Sequence, residues 1–317
     1  MSSRPLPLWA KTLVATALLT ILGGLFAPST VSAGAILTML PFVAILAVAS
    51  IGQHLVIQQR GLDLSVAGVM SFAGVMVTAL PGLDAGPWET LGYIAATLLM
   101  GMAVGAVNGL VVSLLRVPAL VTTIGVNSLL LGATQFMSKG FAQQAPLSLN
   151  NFGVGHLFGV PATIYVMLIL AATTTFLLAR TGVGRRFVAI SVNPAAAFAV
   201  GVHLDAYRIG TYVLAGFCYA AAGILLAGYL LSPTVFCGLP YMLATIAAVV
   251  VGGNSIGGGG RGSVASTVIG AYFLTYLGQL VLSIGFGTSA QDVVQAVIVV
   301  SSVALPEFAQ RLRHAYR

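Results

Sequence analysis

Few side chains in this chain could do chemistry, and their placement limits what that chemistry is. Asp63 stands close to Arg60, His54 lies near the same end of one apolar run, and Asp292 marks the end of another. Carboxylates and imidazoles set within apolar spans serve proton or ion coupling, but these reach only the span ends. For Asp63 a helix cap is the stronger reading, because negative charge is favourable at the start of the run that begins near Leu64. A nucleotide motor is not encoded. A phosphate loop needs a lysine after its glycines to reach the β- and γ-phosphates, and the only lysines, Lys11 and Lys139, follow no glycine. The stretch from Gly252 to Ser263 is rich in glycine but lacks that lysine, so it reads as a tight turn between two spans. The four histidines are scattered without metal-ligand spacing. Cys218 and Cys237 sit in or beside apolar runs and read as small hydrophobes, with no disulfide or metal site. No catalytic set emerges, so the chain is not read as an enzyme.

The elements that must hold these residues are written in the composition. Of 317 residues, 58% are hydrophobic and 6% charged, with a mean hydropathy of +1.04. A soluble domain carries roughly 25% charged residues, so lipid is the solvent this surface suits. Lipid demands internally paired backbone, hence helices or a closed barrel. The apolar runs, such as 212–231 and 264–282, are continuous rather than alternating, which excludes barrel strands. The expected fold is an all-α, polytopic transmembrane helix bundle in a single domain, 1–317. Spans of about 20 residues fall near 12–28, 36–57, 65–81, 91–114, 118–137, 161–179, 209–231, 235–253, 264–284 and 289–305.

Charge gives these ten spans a direction. With the N-terminus in the cytoplasm, 12 of the 13 basic residues fall on the cytoplasmic side and only Lys139 lies outside. This is the positive-inside pattern, and it places both termini in the cytoplasm. It also accounts for the net charge of +7 without nucleic acid. The first run, flanked by Arg4, Lys11 and Val31-Ser32-Ala33, imitates a secretory signal peptide; the reading adopted is a retained span, and cleavage would leave the later orientation unchanged.

The cytoplasmic segment 180–208 contains a short punctuated helix. Asn193 suits the N-cap, Pro194 the first helical position, and Gly201 the stop. Its body, with Ala195, Ala196 and Phe198, is apolar yet too short to cross a bilayer. From these features alone, docking to a partner and lying beneath the bundle or on headgroups stand equal. Gly101, Gly105 and Gly109 recur every four residues and form a close-packing face, with Asn108 beside it as either an interhelical hydrogen bond or a pathway group. The segment 138–160 is expected to be an external loop with a short interfacial helix.

Four motifs, in order, resemble the permease subunits of bacterial ribose-type sugar ATP-binding-cassette importers. They are Gly61-Leu62-Asp63-Leu64-Ser65-Val66; Ala106 to Leu110 followed by Arg116-Val117-Pro118; Gly184 to Gly201; and the glycine-rich turn from Val251 to Ser263. The resemblance implies a second permease subunit, a pair of cytoplasmic ATPases that bind ATP and magnesium, and a periplasmic or lipid-anchored sugar-binding protein, all working at the bacterial inner membrane. It assigns Gly184, Arg185, Asn193, Pro194, Ala195, Ala196 and Gly201 to ATPase coupling, and makes Asp63, Ser65 and Asn108 candidates for the pathway or its gate. The chain itself would hold no cofactor. Two departures stand out: Arg60 precedes Gly61 where the family commonly has a second glycine, and Ser191-Val192 replace glycines common before the asparagine. They suggest an unequal partner in a heterodimer. The rival readings are an autonomous secondary carrier or channel, and a membrane enzyme.

Overall fold

The computed structural model describes residues 8–255, 262–298 and 300–301. The tip of the glycine-rich turn, including Gly257 to Gly260 and Arg261, lies outside the described residues, as do Arg4 and the C-terminal arginines. The described chain is a helix bundle: α1 Leu8–Phe26, α2 Ala33–Gln58, α3 Val66–Ala79, α4 Pro87–Ser113, α5 Ala119–Ser138, α6 Leu147–Gly153, α7 Ala162–Arg180, α8 Gly182–Val192, α9 Pro194–Ala199, α10 Leu204–Leu230, α11 Tyr241–Val251 and α12 Val264–Ser283. Residues 288–298 are also helical. The two strands, β1 His156–Leu157 and β2 Val160–Pro161, form a small antiparallel hairpin.

Seven of these helices, α1, α2, α4, α5, α7, α10 and α12, are long and apolar enough to cross a membrane. At the expected spans 65–81 and 235–253 the structure has shorter helices. With 14 residues α3 rises about 21 Å, and with 11 residues α11 rises about 17 Å, against roughly 30 Å of hydrocarbon. The chain before each is irregular but packed in protein. Ahead of α3, residues 59–65 turn with Arg60 at φ 62°. Ahead of α11, Cys237 and Gly238 are buried, and the Gly238 amide donates to Ser71 Oγ at 3.0 Å. A Cβ at Gly238 would strike the Ala67 carbonyl. Non-helical backbone survives at membrane depth only when protein meets its polar groups in this way.

The core is built around α2, in which every residue from Val43 to Gln58 is buried. A helix apolar on all faces belongs in the centre of a bundle. Its start is capped by Ser32, whose Oγ accepts from the Ala35 amide at 3.3 Å, so Val31-Ser32-Ala33 forms a helix entry. Against α2 lies α10, which also packs on α3 and α4. The contact of α4 with α10 is backbone on backbone. Cβ atoms at Gly101 and Gly105 would strike the carbonyls of Gly216 and Tyr212, and one at Gly109 would come within 2.7 Å of Ile209 Cα. Small residues are what allow such an approach without a hydrophobic drive.

The far end of α10 is closed by the segment 138–160. The Ala145 amide donates to the Leu231 carbonyl at 2.7 Å, and Asn150 Nδ2 to the Gly228 carbonyl at 2.8 Å. Within this segment α6 packs its Leu149 against Gly228.

Candidate functional site

At the opposite end of the bundle the segment 180–208 folds as two helices rather than one. The first, α8, is capped by Thr181, whose Oγ1 accepts from the Gly184 amide at 3.1 Å. Gly184 has no room for a side chain, since a Cβ would strike the Leu177 and Leu178 carbonyls; it lets α8 double back tightly from α7. Phe187 and Ile190 are buried against the bundle, while Arg185 and Arg186 are exposed. The second helix, α9, is punctuated as its residues suggest. Asn193 Oδ1 accepts from the Ala196 amide at 3.1 Å, Pro194 opens the helix, and Gly201 follows it at φ 82°. Ala197 faces inward, and Ala195 and Ala196 are exposed. Phe198 and Val200 are exposed at 69% and 79%. The sequence reading missed α8; the signal available was Thr181 as a cap, with inward Phe187 and Ile190 three residues apart.

Beside this segment the three candidate pathway residues form one buried chain of hydrogen bonds. Asp63 Oδ1 accepts from the Ser65 amide at 2.9 Å and from Ser65 Oγ at 2.6 Å. Ser65 Oγ in turn accepts from Asn108 Nδ2 at 2.9 Å. Asp63 therefore shapes the turn that leads into α3 rather than capping the helix itself. One first-turn amide of α3 is met instead from α5, where Asn127 Oδ1 accepts from the Gly68 amide at 2.7 Å. Thr123 Oγ1 accepts from Leu64 N at 3.0 Å. This is N-capping supplied by a neighbouring helix. The Asp63 carboxyl is buried and is held in place by its two bonds from Ser65. Among the described residues Asp63 Oδ2, Asn108 Oδ1 and the Tyr212 hydroxyl have no hydrogen bond.

The two departures from the family pattern meet in space. Arg60 Nη2 donates to the carbonyls of Val192 at 3.2 Å and Ser191 at 3.4 Å. Its neighbour Gln59 donates through Nε2 to the Phe187 carbonyl at 3.1 Å.

A second polar group lies inside the bundle and was not read from sequence. Gln53 Oε1 accepts from the Tyr219 hydroxyl at 2.8 Å, and His54 Nδ1 lies 3.0 Å from Thr267 Oγ1. Asn254 ties the glycine-rich turn to this group: Nδ2 donates to Thr267 Oγ1 at 3.1 Å and to the Val249 carbonyl at 3.0 Å, and Oδ1 accepts from the Ser263 amide at 2.8 Å. No set of three His, Cys, Asp or Glu side chains gathers as a metal site among the described residues.

Towards the far end a cavity of about 860 Å³ opens between α2, α10, α11, α12 and the helical residues 288–298. Phe42, Tyr229 and Tyr241 supply aromatic faces, and Gln279, Gln291 and Asp292 supply hydrogen-bonding groups. Phe42 and Tyr229 meet edge to face, with centroids 5.1 Å apart.

The described chain is thus an apolar helix bundle with a buried polar interior and an exposed apolar helix at one end. The chain belongs to the family described as branched-chain amino acid transport system / permease component, whose model matches residues 35–303. It is 31% identical over 299 residues to the ribose import permease protein RbsC of Escherichia coli (strain K12), covering 92% of each chain. The Haemophilus influenzae protein of the same name is 28% identical, over 92% of this chain and 91% of its own. The autoinducer 2 import system permease protein LsrC of Shigella flexneri is 31% identical over 307 residues, which cover 96% of this chain and 87% of that one. No solved structure matches. The chain is a permease component of a transport system, resembles the sugar importers within its family, and is a multi-pass protein of the inner membrane.

Proposed function

We propose that this chain is the transmembrane subunit of an ATP-binding-cassette importer and passes a sugar or related small polar solute inward. A cytoplasmic ATPase supplies the energy and holds the ATP and magnesium. A periplasmic or lipid-anchored binding protein delivers the solute, and a second permease subunit completes the pathway. The observation that carries this reading is α9: a short helix outside the bundle, capped at both ends, presenting Ala195, Ala196, Phe198 and Val200 outward. Such an exposed apolar face calls for a protein groove. The solute class rests on the ribose and autoinducer 2 importers among the relatives and on the mixed aromatic and amide lining of the cavity. On this reading α8 and α9 face the cytoplasm and the cavity faces outward.

Co-purification tests it. The detergent-solubilised chain should retain a co-expressed ATPase from its own gene neighbourhood. Ala196→Asp, which places a charge on the docking face without touching the bundle, should abolish that retention and the uptake it drives. The interface loss expected for a buried unpaired charge is about 2–5 kcal/mol, at least a tenfold drop in retained ATPase. Transport of a probe sugar into vesicles without ATPase or ATP would sink the importer reading in favour of an autonomous carrier.

A further inference from the structure

We propose that Arg60 is a positioning residue that carries movement of the ATPase-docking helices into the turn 59–65 and so to the start of α3. The inference rests on the function proposed above and goes beyond it by naming the link between docking and pathway.

Arg60 has an unusual backbone for its side chain. Its φ of 62° lies in the left-handed region, where a residue with a Cβ is disfavoured and glycine is at ease. What the arginine does there is visible in its side chain. It reaches the Ser191 and Val192 carbonyls at 3.4 and 3.2 Å, and both belong to the last turn of α8. The last carbonyls of a helix lack partners within it and carry its negative dipole end, so a guanidinium is well matched to them. Gln59 holds α8 one turn earlier through the Phe187 carbonyl. The pair therefore grips α8 at two levels. Asn193 joins α8 directly to α9, with its amide bonded to the Ala189 carbonyl at 3.0 Å.

The grip continues inward. The Gly61 amide returns to the Val56 carbonyl at 3.0 Å, and Asp63, Ser65 and Asn108 then bond in series. Asn127 and Thr123 of α5 hold the amides that follow. A shift of α8 has a continuous route through Arg60 to α3, α4 and α5. There is also room for it. A cavity of about 260 Å³ lies beside the grip, lined by Gln59, Arg60, Pro118, Pro194, Arg208 and Tyr212. Close-packed interiors resist small displacements, and on this side the turn borders open space rather than packed side chains.

The decisive variant is Arg60→Gly. It relieves the left-handed backbone and so keeps the turn, while removing the Arg60 hold on the end of α8 and leaving that of Gln59 in place. The measurement is hydrogen–deuterium exchange of the full chain in complex with its ATPase, with and without a non-hydrolysable ATP analogue. In the wild type the analogue should change exchange in both 182–199 and 61–68. In Arg60→Gly the ATPase should still bind and 182–199 should still respond, but the response of 61–68 should fall by about fivefold or more. Arg60→Lys, which can still donate to a carbonyl, should restore part of it. A full response of 61–68 in Arg60→Gly would overturn the proposal, as would a wild type that responds only in 182–199. If the wild-type chain binds no ATPase at all, the proposed function itself fails and takes this link with it.

Discussion

Replacing Gly105 with alanine should disrupt the bundle more than any single methyl added elsewhere on α4. The new Cβ would meet the Tyr212 carbonyl and come within 2.7 Å of that residue's carbonyl carbon. The obstacle is backbone of α10, not the flexible end of a side chain, so the two helices must separate to admit it. Overpacking of a well-packed core costs about 1–3 kcal/mol where side chains can adjust; with backbone on both sides the upper end or beyond is expected. The control lies on the same helix. Gly92 has open space around its Cβ direction, and Gly92→Ala should be neutral or stabilise by about 0.5–1 kcal/mol through lower chain entropy. Thermal unfolding followed by fluorescence-detected size exclusion would check both. Equal melting of the two variants would show that the α4–α10 contact is looser than described.

Ser65→Ala should be the most damaging of the conservative polar changes. It removes the hydroxyl that donates to Asp63 and accepts from Asn108, and leaves both partners buried. Asp63 Oδ1 keeps the backbone amide of residue 65, but Asn108 Nδ2 loses its partner, and a buried group stripped of its bond costs about 1–3 kcal/mol. A double-mutant cycle separates this from loss of packing. If the three residues act as one network, Ser65→Ala and Asn108→Ala together should cost less than the sum of the singles, by about 0.5–3 kcal/mol. Uptake should fall in all three variants, because the start of α3 depends on this chain of bonds. Strict additivity would mean that the hydroxyl and the amide serve separate purposes.

Much of this architecture was legible in the residues, and what was not has identifiable causes. Asn193, Pro194 and Gly201 announce α9 because caps and stops are local chemistry, written within a few positions. The glycines at 101, 105 and 109 announce a close face for the same reason. The shortness of α3 and α11 is invisible to hydropathy, which weighs side chains and not the backbone between them. Only the fold reveals that the Ser71 hydroxyl meets the Gly238 amide and that the irregular stretch is sheltered. The second helix, α8, hides behind its arginines, since only Phe187 and Ile190 mark its inward side. Asp63, Ser65 and Asn108 could each be singled out as polar groups in apolar surroundings. Their union could not, because Asn108 lies 43 residues beyond Ser65 and the two meet only once α4 has packed beside the turn. Arg60 looks like an isolated oddity in the sequence; the fold shows its side chain on the backbone carbonyls of Ser191 and Val192, which lie 131 and 132 residues away.

The polar residues of α2 also bear on the order in which this chain can be made. Gln53 finds Tyr219 only 166 residues later, and His54 finds Thr267 only 213 residues later. At ~5–20 residues per second of synthesis, α2 waits roughly 10–40 s before those partners leave the ribosome. Throughout that interval it holds an amide and an imidazole that lipid cannot satisfy. The central helix of the finished bundle is therefore among the last to be completed. A nascent chain halted before Tyr219 should keep Gln53 and His54 within reach of water, or of the insertion machinery, where site-directed crosslinking would find them.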